Sequence, residues 1–211
     1  VPAAELARMH NLHADALFVV GDPRRGTEAA ERALALLGVR LPSRGPEVAL
    51  AVVRGVGEQL LRMAGRGARS APSDEPASVE SAKAAVRLST YYVMEQRSPL
   101  QVMMATLLAA NLADRAGPRG AKAVPYSVLG ATMGFLRIGP LERRYFQGAR
   151  RDALDRGDRA ELASSGVMEC SLYQGMGRWA ELEARAAEGI AVASEIGDQH
   201  TWETLSLVLS G

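Results

Sequence analysis

Apolar residues recur three and four positions apart along most of the chain, the period of a helix with one packed face. Residues 2–20 carry Leu6, Met9, His13, Ala16, Leu17 and Val20 at that spacing, and Gly21 ends the run. Asp22-Pro23 opens the next run, with Asp as N-cap and Pro at the first helical position, where its missing N–H is not needed. Ala29, Ala30, Ala33, Leu34 and Leu37 form its stripe and Gly38 closes it, so residues 1–38 read as a first helical hairpin. Leu41-Pro42-Ser43-Arg44-Gly45-Pro46 breaks the pattern. A helix over about 46–64 follows, with Ala49, Val52, Val53, Val56, Leu60 and Met63 predicted to pack. Arg54, Glu58 and Arg62 form a solvated ladder at i, i+4. Gly55 and Gly57 weaken this helix by about 1 kcal/mol each relative to Ala. The stretch GRGARSAPSDEP, 65–76, is the most loop-like of the chain and is expected to be mobile. Residues 39–76 are therefore an inserted helix and a flexible loop.

From residue 77 the pattern becomes periodic. Ala113…Gly117, Ala153…Gly157 and Ala193…Gly197 fall 40 residues apart, twice. A fixed period of about 20 to 50 residues signals stacked repeats. The spacing divides 77–211 into helix pairs at 77–117, 118–157 and 158–197, with the start of a further one at 198–211. The first pair carries Val79, Ala82, Val86, Tyr91, Tyr92 and Met94 on one helix, then Ser98-Pro99 as a cap-and-Pro start, then Val102, Met103, Leu107, Ala110 and Leu112. Pro125 is expected to delay or kink the helix that opens the second pair, because it deletes a backbone bond. Leu129, Met133 and Leu136, then Leu141, Phe146, Ala149 and Leu154, are its inward residues. In the third pair Gly175-Met176-Gly177 is the hairpin turn and Trp179 a packing wedge; Trp202, Leu205 and Leu209 mark the last helix.

These residues resemble a tetratricopeptide (TPR) array. Leu129-Gly130 matches that pattern's Leu-Gly pair, Ala149 its late small residue, Tyr92 and Tyr173 its first-helix aromatic, and Trp179 the aromatic that opens the second helix. The period is 40 rather than 34, and Glu169-Cys170 replaces the Leu-Gly pair in the last full pair. The stretches ERALALLGVRLP, Leu107 to Gly117 and GRWAELEARAAEGIAVASEIGD are further similar to the helical repeat region of large bacterial signalling ATPases linked to Ser/Thr kinase, cyclase or histidine-kinase modules. The resemblance implies an all-α fold, a right-handed superhelical stack of helix-turn-helix (TPR-like) repeats of about 40 residues, whose first helices line a concave groove.

Composition changes this picture little. The 211 residues are 47% hydrophobic and only 5% aromatic, so the core must be built from Ala, Leu, Val and Met, which suits close-packed helices. The net charge of +1 gives no global field toward nucleic acid or membrane. Cys170 is the sole cysteine, which rules out an intrachain disulfide and fits a cytoplasmic setting. No apolar run reaches the roughly 20 residues that span a bilayer. The chain begins at Val1 and stops at Gly211, each inside a predicted helix, and is expected to be a piece of a longer protein.

Each chemical candidate has a plainer reading. Gly175-Met176-Gly177-Arg178-Trp179-Ala180 satisfies G-x-G-x-x-A, but a dinucleotide fingerprint needs a strand before it, and a helix precedes this one. No G-x-x-x-x-G-K-[ST] phosphate loop and no H-R-D kinase motif occur. His10 and His13 with Asp15 offer no closed ligand set for a metal, and His200 is distant. Cys170 takes the place of a small packing residue rather than of a nucleophile, which would need an adjacent base. Arg137, Arg143, Arg144, Arg150, Arg151, Arg156 and Arg159, with Tyr145 and Phe146 among them, form the densest basic stretch. Glu142, Asp152, Asp155 and Asp158 largely offset it, so a solvated face comes first, acidic-peptide docking second and nucleic acid last.

The expected function is a non-catalytic protein–protein interaction or regulatory scaffold within a larger bacterial signalling protein. The alternative is the sensor arm of a TPR-type transcription regulator that takes a peptide or small effector. No cofactor and no metal are expected. The expected partner is a protein or peptide in the concave groove, or another domain of the same parent chain. Direct nucleic-acid and membrane contacts are not expected, and self-association into a homo-oligomer stays open. Asn11, Asp15, Thr90, Met94, Ser127, Phe135, Ser171 and Gln174, taken as exposed first-helix residues, are the candidate partner-binding set.

Overall fold

A computed structural model describes residues 1–65, 75–117 and 121–210. Ten helices and no strand occur among the described residues, so the chain is all-α. It divides into two compact units, Val1–Ala121 and Lys122–Gly211. Most of the stretch read as a mobile loop, residues 66–74, and Pro118 lie outside the described residues.

The first unit holds α1 (Ala3–Val19), α2 (Pro23–Leu36), α3 (Gly45–Met63), α4 (Glu75–Met94) and α5 (Pro99–Arg115). α1 and α2 form one hairpin, α4 and α5 another. α4 packs on both helices of the first hairpin, while α3 rests chiefly on α5. The second unit holds α6 (Ala123–Phe135), α7 (Gly139–Asp155), α8 (Arg159–Gly175), α9 (Trp179–Ile196) and α10 (Gln199–Ser210). α6 pairs with α7 and α8 with α9; α8 also packs on both helices of the pair before it, and α10 closes on α8 and α9.

Local chemistry sets these boundaries. Asp22, Asp158 and Asp198 each accept a hydrogen bond from the backbone N–H three residues on, at 3.1, 2.9 and 3.1 Å. Ser98 and Gln101 form a reciprocal capping box. Gly21, Gly38, Gly117, Gly157, Gly177 and Gly197 end helices with positive φ, the conformation that costs glycine nothing. Gln96 and Arg137 adopt the same left-handed conformation without being glycine. Pro125 sits third in α6, within the first turn, where its missing N–H has no intrahelical partner to lose; it delays the helix start.

The cores are largely alanine. Ala7, Ala30, Ala33, Ala82, Ala85, Ala105, Ala109 and Ala113 are nearly or fully buried around Leu34, Leu88 and Tyr92 in the first unit. In the second, Ala149, Ala153, Ala163 and Ala193 surround Leu162, and Leu182 and Leu205 enclose Cys170. Glycines inside helices take single large side chains at close range. A Cβ at Gly26 would overlap the buried Tyr91 ring, and one at Gly134 would overlap Leu172.

Several expected stripes face the other way. α1 buries Ala7, Asn11, Ala14 and Leu17, while Met9 and Val20 are exposed. α3 buries Val48 and Gln59, and Val53, Val56 and Leu60 of the predicted packing face are exposed. Leu136 and Leu154 are exposed as well, and Trp179 is 53% exposed, so it is no packing wedge. In α1 the small Ala7 and Ala14 lie toward the neighbouring helices, and in α3 Gly55 takes Leu107 at close range.

Gly26→Ala is expected to destabilise the chain by about 1–3 kcal/mol, the cost of overpacking a filled core. A lower urea midpoint with the slope unchanged checks this; a wild-type midpoint would show that Tyr91 can move aside.

Candidate functional site

α7 has Glu142, Phe146 and Arg150 one turn apart, with Arg143 and Gln147 beside them. α8 offers Glu169 and Tyr173, again one turn apart, and Arg178 is the residue that opens α9. Together these line a cavity of about 300 Å³. Phe146 and Tyr173 form its aromatic side, ring centroids 6.5 Å apart.

The charges around the cavity are ordered in pairs. Arg178 donates to Glu142 at 2.7 Å and to Glu181 at 3.0 Å, and its guanidinium lies 4.5 Å from the centre of the Tyr173 ring. Arg185, 6% exposed, donates to Glu169 at 3.0 Å, to Glu188 at 2.9 Å and to the Leu162 carbonyl at 3.4 Å. A Cβ at Gly166 would come within 3.2 Å of that guanidinium, so the glycine lets Arg185 lie flat on α8. Arg150 holds Glu188 through two hydrogen bonds. Burial raises the Glu169 carboxyl above its ordinary value despite Arg185, whereas the hydrogen bond from Arg150 holds Glu188 below its own. Burial also pushes the Tyr173 hydroxyl up to about 12 and the Cys170 thiol to about 11, so neither ionises near neutral pH. Arg143 is exposed and has no carboxylate partner among the described residues.

A second cleft, of about 490 Å³, lies in the first unit between α3 and α5. Leu41, Leu50, Met104 and Leu108 supply its apolar wall, and Glu58 and Arg115 its rim.

The expected partner-binding residues line neither cavity. Asn11 and Ser127 are buried, which corrects their reading as exposed. Asn11 donates to the Glu80 carbonyl and carboxylate at 3.1 and 2.8 Å, and the Ser127 hydroxyl donates to the Ala123 carbonyl at 2.7 Å. Asp15 is half-buried and ion-paired with Arg87. Thr90 is half-buried, its hydroxyl turned back to the Val86 carbonyl, and Met94 is 42% exposed. Ser171 is exposed and Gln174 half-buried. Phe135 is 57% exposed and its ring packs within 3.2 Å of where a Cβ of Gly175 would be. Gly175 is thus the last residue of α8, kept small for Phe135, and only Gly177 makes the turn.

The basic stretch resolves into individual roles. Arg156 binds Asp152, Asp158 and Glu161, and Arg159 binds Glu195. Arg143 and Arg150 turn to the cavity with Phe146. Tyr173, Glu169 and Arg178 were not read as cavity residues from sequence. The available signal was Glu169, a charge within the apolar run Val167-Met168-Glu169-Cys170. His10 is half-buried and His13 exposed, and no group of three or more potential metal ligands occurs among the described residues. Among them, no helix is long and apolar enough to cross a membrane. Comparison with protein-family models, curated proteins and solved structures returns no match.

Arg185→Met leaves Glu169 buried without a partner and is expected to cost about 3–5 kcal/mol near neutral pH. The sign with pH follows from the raised Glu169 value: below the ordinary carboxylate range the group is neutral and the penalty vanishes; above its folded value the penalty is full. Denaturant melts at pH 7 and pH 4 should therefore differ, and adding Glu169→Leu should recover most of the loss. Equal losses at both pH values would disprove the coupling. The Cys170 thiol should react with a thiol reagent only on unfolding; prompt labelling of the folded chain would contradict its burial.

Proposed function

We propose that the chain is a non-catalytic interaction scaffold of the tetratricopeptide type, with its hairpins stacked in a right-handed superhelix. In this reading it belongs to a larger bacterial signalling protein, where it couples a partner to an ATPase or kinase module. The partner is a peptide segment bearing an acidic side chain, and it docks in the cavity of α7, α8 and Arg178. Thr90, Met94, Phe135, Ser171 and Gln174 extend the contact surface of their own units.

The observation that carries this reading is Arg143. Of the arginines lining the cavity, Arg150 and Arg178 are matched by Glu188 and Glu142, while Arg143 has no carboxylate among the described residues. An incoming carboxylate beside the Phe146–Tyr173 side would supply one without separating an existing pair. The guanidinium is suited to that role, since it presents fixed donors to a planar anion. The cavity volume, at the lower end of small-molecule sites, favours a small anionic effector as the second reading, which is the sensor-arm alternative.

Selection from a displayed library of random peptides should enrich Asp- and Glu-containing sequences. Arg143→Ser should weaken them about tenfold, the loss of one charge-assisted hydrogen bond of about 1.5 kcal/mol. Binding that is indifferent to Arg143→Ser and Arg143→Glu, or a library that yields no binder, would sink the peptide reading. A small carboxylate that binds where no peptide does would favour the effector.

A further inference from the structure

α3 turns an uncharged face outward. Val53, Val56, Leu60 and Leu61 are 68, 41, 54 and 55% exposed, and with Ala49 and Gly57 they share one side of the helix. At 100° per residue these six span about 140°, an arc that holds no charged residue. Gly57 lies within it. Gly26, Gly55, Gly130, Gly134, Gly148, Gly166 and Gly189, the other glycines inside helices, each have a side-chain atom within 3.2 Å of where a Cβ would be. Gly57 has nothing within 4 Å of that position among the described residues. Glycine inside a helix costs roughly 0.5–1 kcal/mol relative to Ala. At every other interior site that cost is offset by a neighbour packed onto the backbone; at Gly57 no such neighbour is found among the described residues.

We infer that the neighbour of Gly57 is α3 of a second copy, packed antiparallel across a two-fold axis near Val56 and Gly57. The charges on one edge of the face select this occupant. Arg54 is exposed and without a partner among the described residues. Glu58, one turn on, binds Arg62 through Oε1 and Arg115 through both oxygens, which leaves acceptor capacity on Oε2. An antiparallel pair centred near residues 56 and 57 sets Arg54 of each copy beside Glu58 of the other, twice. The same register opposes Val53 to Leu60 and Ala49 to Ala64, so the apolar and ionic matches coincide. Gly57 then lets the two backbones approach as closely as the intrachain pairs do. An isologous contact of this kind is self-complementary and closes at two copies.

Sedimentation velocity of the whole chain, from low to high micromolar, should show a reversible dimer. Val53→Asp combined with Leu60→Asp should raise the dissociation constant at least about tenfold, with helical circular dichroism unchanged. Gly57→Leu separates packing from folding: it favours the helix but blocks close approach, so the chain should unfold no earlier yet sediment as a monomer. Arg54→Glu should weaken the dimer more at low salt than at high salt. A wild-type chain that is monomeric throughout overturns the inference. So does a dimer that survives Gly57→Leu and the Asp variant.

Discussion

The structure depends on how closely its helices approach. With few aromatic residues to fill space, the interfaces are built from alanine, and at chosen points a glycine receives one large side chain. Gly26 takes Tyr91, Gly130 takes Phe146, Gly134 takes Leu172 and Gly189 takes Leu205. Each fit is specific, because interiors packed to crystal density have no slack for an added methyl. The Tyr91 hydroxyl, donated to the Ala14 carbonyl, then fixes α4 against α1.

The same closeness makes room for buried charge. Gly166 lets the Arg185 guanidinium lie against α8, where it reaches Glu169, Glu188 and the Leu162 carbonyl together. Burying an ion pair is costly unless its hydrogen bonds are made, and this one makes three. The α7–α9 cavity is the open edge of that network. Its walls are held by Glu142–Arg178 and Arg150–Glu188 together with the Phe146–Tyr173 contact, and Arg143 stands at its rim with no carboxylate partner among the described residues.

Much of the helical plan was legible from local chemistry. Asp22, Ser98 and Asp198 announce their helices, Gly38 closes its own stripe, and Gly117, Gly157 and Gly197 end theirs where the period placed them. Orientation was harder to read. A 3.6-residue period shows which residues share a face, and size suggested that the large ones point inward. In α1 and α3 the reverse holds, since Ala7, Ala14 and Gly55 admit a neighbour that Met9 or Val53 would repel. Asn11 and Ser127 looked like surface residues because they are polar; burial is tolerated since each donates a hydrogen bond. The cavity was half visible. Arg143, Phe146 and Arg150 belonged to the basic stretch, whereas the link from Glu142 to Arg178 joins residues 36 apart on separate hairpins, which no local pattern encodes.

α3, which lies between two hairpins in chain order, has a cost in chain topology that can be sized. In the second unit the hydrogen bonds between consecutive hairpins join residues 36 and 38 apart. In the first unit, with α3 and its linkers lying between the hairpins, the corresponding bonds join residues 61 to 77 apart. The entropy of closing a chain loop grows only as the logarithm of its length, about 0.6 kcal/mol per doubling. Threading a whole extra helix between two hairpins therefore costs little more than one weak hydrogen bond. An architecture of this kind can acquire a new exposed helix almost without penalty, provided the hairpins on either side still find each other.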